Sequence, residues 1–260
     1  MRHLKLIVEY DGTLFSGWAR QPGKRTVQGC LESALSEVTG ERVRVGSASR
    51  TDAGVHAEGQ VVSFKTESKI PVLKLSEVLV PELPEDILVR SAEEVGADFD
   101  ARRSARSKVY SYMIVNGARA NPVARRYVWC VPGHLDIRAM KKAAAGLVGR
   151  KDFTSFALTD KRRKLGDPFR EIFSIRVRSG KLSEFFGRLG ENCGGKAIRL
   201  EFRGDGFLYK MVRSLVGTMV DVGRGRLGAA DIRSILASRK RSAAGRTAPA
   251  KGLTLVRVEY

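Results

Sequence analysis

The residues best suited to chemistry in this chain lie in one short segment, residues 49–57, with the sequence SRTDAGVHA. It places a guanidinium, a carboxylate and an imidazole close together, on Arg50, Asp52 and His56, and Gly54 keeps the backbone open. A carboxylate with cationic neighbours suits proton transfer or nucleophilic attack. Charged groups on a loop between rigid strands are often catalytic. The same residues also fit an ordinary turn, in which Asp52 caps the backbone and Arg50 is solvated.

Other kinds of active site are poorly supported by the sequence. None of the three histidines is accompanied by a Gly-x-Ser-x-Gly motif, as a serine hydrolase would require. Residues 223–228 have dinucleotide-loop spacing but follow a predicted helix, and residues 190–196 have P-loop spacing but precede Ala197 instead of a hydroxyl. Asp52 and His56 have no third metal ligand nearby in sequence. We therefore expect neither a nucleotide cofactor nor a metal.

Two strands are needed to hold this segment, and period-two patterning predicts them at residues 42–45 and 60–64. Thr26 predicts the start of a helix that runs to Val38 and ends at Gly40. The other predicted strands lie at residues 2–10, 87–95, 109–114, 171–178, 196–202 and 253–260. The other predicted helices lie at residues 72–80, 136–148, 209–222 and 229–237.

This order of elements predicts an α+β fold. Over the first hundred residues it reads strand, helix, strand, strand, helix, strand, which is typical of the split βαβ, ferredoxin-like arrangement. The second half has a similar element content, which suggests duplication although no sequence repeat is visible. We therefore predict two lobes, at residues 1–104 and 105–260.

The net charge of +19 is unusual, and it is unevenly distributed. Residues 1–104 hold 14 Lys+Arg and 16 Asp+Glu, whereas residues 105–260 hold 33 and 12. Such a charge favours a polyanionic partner, nucleic acid first and an anionic membrane surface second. No apolar run approaches the ~18 residues of a membrane span. The three cysteines are isolated from one another, which favours the reducing cytoplasm over a disulfide framework or a zinc site.

Two basic runs stand out in the second half. One contains Lys161, Arg162, Arg163 and Lys164, and the other spans residues 239–251. Charge runs are usually solvated loops. In a protein this basic, contact with phosphate groups is an equal alternative.

The segment from Arg50 to Ala57 resembles the active-site signature of the bacterial tRNA pseudouridine synthases of the TruA type. Eight consecutive residues match, and Ser49 stands just outside, where the family more often has glycine. The resemblance extends over nearly the whole chain. Its other parts include Tyr10-Asp11-Gly12, Gly17-Trp18, Gln21, Arg25-Thr26-Val27-Gln28, Lys108-Val109-Tyr110, Phe153-Thr154-Ser155-Phe156 and Phe207-Leu208-Tyr209-Lys210-Met211-Val212-Arg213.

The resemblance implies roles for individual residues. Asp52 corresponds to the essential aspartate that attacks the target uridine or its sugar, Tyr110 to the tyrosine that stacks on uracil, and Arg213 to the arginine that pairs with the aspartate. Without the resemblance, Tyr110 is better explained as a core residue of its strand. The residues expected to bind substrate are Arg25, Arg50, Thr51, His56, Tyr110, Lys161, Arg162, Arg163 and Lys164.

The resemblance also implies an activity and an assembly. The reaction is the isomerisation of uridine to pseudouridine in the anticodon stem-loop of tRNA, at positions 38 to 40, without cofactor or metal. The fold is two lobes whose sheets join into one mostly antiparallel central sheet beside a catalytic cleft, and the enzyme is a cytoplasmic homodimer. Two alternatives are a non-catalytic RNA-binding protein of the same fold and a metal-dependent nuclease using Asp52 and His56.

Overall fold

The computed structural model describes residues 1–158 and 166–260, so the predicted phosphate contacts Lys161, Arg162, Arg163 and Lys164 lie outside the described residues. The fold is a mixed α+β structure, which confirms the predicted class. The strands of the described chain are β1 (Arg2–Tyr10), β2 (Gly46–Ser47), β3 (His56–Thr66), β4 (Ile87–Glu94), β5 (Ser107–Asn116), β6 (Trp129–Val131), β7 (Gly149–Asp152), β8 (Phe169–Gly180), β9 (Lys196–Gly204) and β10 (Leu253–Glu259). Its α-helices are α1 (Val27–Thr39), α2 (Leu75–Leu79), α3 (Ile137–Leu147), α4 (Ser183–Phe186), α5 (Met211–Gly223) and α6 (Asp231–Ser238).

The chain separates into two compact units. Unit 1 comprises Met1–Lys108 and Thr254–Tyr260, and unit 2 comprises Val109–Leu253. The division falls four residues after the boundary predicted at residue 104, and the last strand returns to unit 1. By this division unit 1 holds 17 basic and 17 acidic residues, and unit 2 holds 30 and 11, so the entire excess of positive charge is in unit 2.

In unit 1 the strands run in the order β4, β1, β3, β10, with β2 also paired to β3. The pairs β4–β1, β1–β3 and β2–β3 are antiparallel, and β10 runs parallel to β3. Strand β1 forms as its alternation predicts, because Leu4, Leu6 and Val8 are buried on one face. Helix α1 is also confirmed, with Thr26 accepting from the Gly29 amide at its start.

The strand predicted at residues 42–45 is wrong. Val43 and Val45 are buried as the alternation required, but their amides donate to side chains of α1 instead of to a neighbouring strand. Val43 N donates to Ser36 Oγ, and Val45 N donates to the buried carboxylate of Glu32. The alternation therefore predicted correctly which side chains are buried, but it did not predict that the backbone amides would bind side chains of a helix. The short β2 follows this segment, and β3 begins at His56.

In unit 2 the strand order is β5, β9, β8, β7, with β6 paired in parallel to β5. Helix α3 begins after its N-cap Asp136, in agreement with the helix predicted at residues 136–148, and it buries Met140, Ala143, Ala144 and Leu147. Helix α5 is buried along almost its whole length. Within the described residues, no helix is both long and apolar enough to cross a bilayer.

Candidate active site

The loop that carries Asp52 connects β2 to β3 within unit 1, and a buried amide side chain holds its start. Gln60 is completely buried in β3, with its Nε2 donating to the Ser49 carbonyl at 2.7 Å and its Oε1 accepting from the Ser49 amide at 3.2 Å. The amide of Ala48 also donates to the carbonyl of Val61. The sequence signal for this anchor was a glutamine directly before the apolar pair Val61-Val62, since a buried amide side chain needs hydrogen-bond partners.

The backbone around Asp52 is fixed from two sides. Its carbonyl accepts from the amide of Val55, which closes a turn in which Gly54 has a φ of +77°. On the other side, the amide of Trp18 donates to the Thr51 carbonyl at 3.0 Å. Gly17, at φ +98°, lies so close that an added Cβ would approach the Thr51 carbonyl oxygen to 2.9 Å. The opening motif and the Asp52 loop are therefore packed backbone against backbone.

Trp18 is a core residue of unit 1. Its side chain is 1% exposed, and its ring lies 6.0 Å from that of Tyr10. The hydroxyl of Tyr10 shares a 2.7 Å hydrogen bond with Thr51 Oγ1. Thr51 thus joins the loop to the end of β1 directly beside Asp52.

His56 is buried at the first position of β3, and two groups lie against its Nδ1. The amide of Gly12 donates to Nδ1 at 3.1 Å, and Asp11 Oδ1 lies 3.0 Å from the same nitrogen. The same Asp11 oxygen accepts from the amide and hydroxyl of Thr13, so the residues that follow β1 hold the Nδ1 side of the ring in place. His56 therefore supports the loop from β1.

Arg25, predicted to bind substrate, is engaged within unit 1. Its two terminal nitrogens donate to the two carboxylate oxygens of Asp86, each at 2.7 Å, and its guanidinium lies 4.1 Å from the centroid of the Phe15 ring. The hydrogen bonds that Arg25 donates to the Asp86 carboxylate raise the pKa of Arg25. Arg50, by contrast, is exposed at the loop itself. A role for either residue in substrate binding stays a prediction.

Tyr110 lies in unit 2, on β5. It is 6% exposed and packs edge-to-face on Phe207, with ring centroids 5.3 Å apart and planes at 87°. Edge-to-face packing fixes the plane of a tyrosine ring. The geometry is compatible both with the core role and with a fixed stacking surface.

Arg213 also lies in unit 2, as the third residue of α5, and is partly buried. Its Nε donates to the carbonyl of Ala248 at 2.8 Å, and its own carbonyl accepts from the Ala248 amide at 3.0 Å. A guanidinium has five N–H groups in one plane, so the bond at Nε fixes that plane. The sequence did not identify Ala248, because an alanine gives no signal for a contact made by its backbone.

Tyr112 is a further buried polar residue near this part of unit 2. Its hydroxyl donates to the carbonyl of Pro249 at 2.7 Å. Burial raises the pKa of Tyr112 far above its usual range, against the opposing influence of Arg213 and Arg246. Tyr112 is therefore a neutral hydrogen-bond donor at neutral pH.

The predicted site residues thus form two groups. Unit 1 holds Arg50, Thr51, Asp52 and His56 on one braced loop, with Arg25 paired elsewhere in the same unit, and unit 2 holds Tyr110 and Arg213. Across the described residues, no three histidine, cysteine or acidic side chains lie close enough to hold a metal ion.

Comparison with known proteins matches the chain to one family over most of its length. A family model described as tRNA pseudouridine synthase matches residues 6–102 and 143–260. The proteins called tRNA pseudouridine synthase A of Brevibacillus brevis, Acetivibrio thermocellus and Geotalea uraniireducens are 44%, 42% and 40% identical to the chain over 260 residues. In each case the match covers 100% of both proteins.

Proposed function

The chain belongs to the tRNA pseudouridine synthase family, and from this premise we propose that it is an isomerase that converts uridine to pseudouridine in tRNA. The observation that carries the proposal is the family match, which takes in both Asp52 and Arg213. Tyr110 lies outside the matched ranges, so its role rests on the Lys108-Val109-Tyr110 motif and on the fixed position of its ring.

The reaction breaks the glycosidic bond between C1′ and N1, rotates the uracil and joins C1′ to C5. The proton released from C5 replaces the bond lost at N1, so atoms and electrons balance without an oxidant, a reductant or a second substrate. What the enzyme must supply is a group that labilises the glycosidic bond, a surface that holds the free base and a pathway for one proton.

We assign the first task to Asp52, acting as a nucleophile or as a base. The bracing of its loop supports this assignment, because a catalytic carboxylate must be held in one orientation to react. Thr51 is tied to Tyr10, the Trp18 amide binds the Thr51 carbonyl, and Gln60 holds Ser49. An ordinary solvated turn would not need anchors on both sides.

We assign the second task to Tyr110 and the orientation of Asp52 to Arg213. A tyrosine ring held edge-to-face by Phe207 offers its own face to a uracil at little entropic cost. A guanidinium whose Nε is already bonded has its two terminal nitrogens directed away from that bond, in the fork that matches a carboxylate. In this proposal, pairing with Arg213 would hold the Asp52 carboxylate in one orientation when substrate is bound.

The proposed substrate region is the anticodon stem-loop, at positions 38 to 40. The charge of unit 2, with 30 basic and 11 acidic residues, supports binding to an RNA backbone. We further propose that the enzyme works in the cytoplasm, as a homodimer on one tRNA.

The proposed split βαβ arrangement is supported in unit 1 by the strand order β4, β1, β3, β2. Unit 2 departs from this arrangement, because β9 lies between β5 and β8.

The deciding experiment measures pseudouridine in tRNA incubated with the pure protein and no added metal. Because the isomerisation leaves the mass of the nucleoside unchanged, the product is derivatised with a carbodiimide and mapped by primer extension and mass spectrometry. We expect derivatised sites within positions 38 to 40. Binding without product would identify the non-catalytic RNA-binding alternative, and metal-dependent strand cleavage would identify a nuclease.

A further inference from the structure

We propose that residues 241–249 form a positioning strap that sets the plane of the Arg213 guanidinium, and that Gly217 and Gly245 are the positioning residues that allow the strap to lie on α5. The inference rests on the proposed function of Arg213 in the reaction. All of the contacts that support it lie within unit 2.

The strap follows α5 backwards, from its last turns towards Arg213. Gly245 lies against Thr218 and Asp221, and its amide donates to Thr218 Oγ1 at 2.9 Å. Further along, Ala248 exchanges two hydrogen bonds with Arg213, one to its Nε and one to its backbone carbonyl. The strap is therefore paired with the helix at Gly245, in its middle, and at Ala248, near its end.

Two glycines make this close packing possible. A Cβ on Gly217 would overlap the backbone carbonyl of Arg246, and a Cβ on Gly245 would lie 2.7 Å from the Cα of Thr218. Both obstacles are backbone atoms, which cannot move aside as the end of a side chain can. Gly217 lies one helical turn after Arg213, and the strap residue packed on it, Arg246, is two residues before Ala248. Any shift of the strap at Gly217 therefore also moves Ala248.

Two arginines hold the strap in its own conformation. The guanidinium of Arg241 donates to the carbonyls of Ala244 and Gly245 and to Thr247 Oγ1. Burial lowers the pKa of Arg241, because a charged guanidinium is less well solvated in the position where it binds these groups. Arg246 lies 4.8 Å from the centroid of the buried Trp129 ring. Arg241, a member of the second basic run, therefore has a structural role, whereas Arg246 lies against Trp129 but remains exposed to solvent.

The physical consequence concerns the direction of the Arg213 fork. With Nε bonded to Ala248, the guanidinium can rotate only if that bond breaks, so the terminal nitrogens have one preferred direction. Moving the carbonyl of Ala248 would leave the positive charge in place but turn the fork. Reactions depend steeply on such alignment, with a misplacement of about 1 Å costing about a hundredfold in rate.

The test compares Gly217→Ala with Gly146→Ala. Gly146 lies on α3 in the same unit, and its added Cβ would meet Ile232 at an ordinary 3.4 Å. Under single turnover with saturating tRNA, Gly217→Ala should lower the rate about tenfold to a hundredfold without weakening tRNA binding, and Gly146→Ala should leave both unchanged. Arg241→Gln loosens the strap without a collision and should give a smaller loss of the same kind, so the test survives if Gly217→Ala does not fold.

A second readout observes Arg213 directly. In protein labelled with ¹⁵N-arginine, the Nε–Hε resonance of Arg213 is identified by its disappearance in Arg213→Lys. It should be protected from solvent exchange in the wild type and in Gly146→Ala, and it should exchange rapidly in Gly217→Ala and Arg241→Gln. An unchanged rate in folded Gly217→Ala, or a lowered rate with an unchanged Arg213 resonance, would overturn the inference. A wild-type protein that forms no pseudouridine would instead overturn the proposed function, and the resonance would still report on the strap.

Discussion

The hydroxyls of Tyr10 and Thr51 lie 2.7 Å apart and are both on buried side chains, so the residue that precedes Asp52 is bonded to the last residue of β1. The two residues are 41 positions apart in sequence. This bond connects the stability of unit 1 to the position of Asp52.

Thr51→Val should therefore destabilise the protein, because valine keeps the shape of threonine but cannot form the bond to Tyr10. Loss of one partner of a buried hydrogen bond costs about 1–3 kcal/mol. Tyr10→Phe should cost a similar amount, and the double variant should cost less than the sum of the two, as urea denaturation can measure. Strictly additive losses would show that the two hydroxyls are not coupled.

Asp52→Asn should abolish pseudouridine formation while leaving tRNA affinity close to wild type. The substitution preserves the shape of the side chain but removes its charge, and phosphate contacts dominate RNA binding. Rates are measured by carbodiimide mapping and affinity by filter binding. Asp98→Asn, at an exposed acid of unit 1, is the control and should react at the wild-type rate. Residual turnover in Asp52→Asn above about one part in a thousand would contradict an essential role.

Arg213→Lys should fail to restore activity, although it keeps the charge. A lysine cannot bind the Ala248 carbonyl through Nε and also present a planar fork to a carboxylate. Arg233→Lys, on the exposed surface of α6, provides a matched control that should be silent. If the two lysine variants react equally fast, Arg213 contributes only charge.

Asp136→Ala should destabilise the protein at neutral pH but not in acid. The amides of Ala139 and Arg138 donate to the Asp136 carboxylate. These hydrogen bonds lower the pKa of Asp136 below its ordinary value of about 3.9. The cap therefore contributes its full stabilisation above the pKa that Asp136 has in the unfolded chain. This contribution is lost as the pH falls through the lower pKa that Asp136 has in the folded protein.

Denaturation from pH 3 to pH 8 should thus show a constant gap between wild type and Asp136→Ala at the upper end, closing below about pH 4. Asp136→Ser, a neutral N-cap, should retain much of the stability and show no such acid dependence. A gap that persists unchanged at the lowest pH would mean that the carboxylate is not the capping group.

Binding to tRNA should weaken steeply with salt, with log K falling linearly in log salt concentration, because phosphate contacts release counterions. Neutralising Lys161, Arg162, Arg163 and Lys164 should reduce that slope by roughly one unit per lost phosphate contact, with little change in turnover on saturating tRNA. The control neutralises four cations of unit 1, namely Arg42, Lys65, Lys69 and Lys74. Equal slopes in wild type and the first variant would show that the run is a solvated loop.

Much of this protein was determined by its sequence alone, where the cause of a structure is local. Alternating apolar residues produced β1, and the capping residues Thr26 and Asp136 began α1 and α3 where expected. Such elements depend on neighbours a few residues away, so a single chain reveals them. The eight-residue signature around Asp52 likewise identified the family without any structure.

The tertiary structure decided where the hydrogen bonds of irregular segments go. Residues 42–45 have the pattern of a strand, but their amides bind Ser36 and Glu32 of α1, a choice that depends on how the helix packs. Arg25 pairs with Asp86, 61 residues away, and no local pattern records that distance. The same holds for the second basic run, because Arg241 donates to backbone groups of the strap and the exposed Arg246 lies over the Trp129 ring. Side-chain type sets what a residue can bind, but only the packed chain determines which of the many available partners is near enough to be bound.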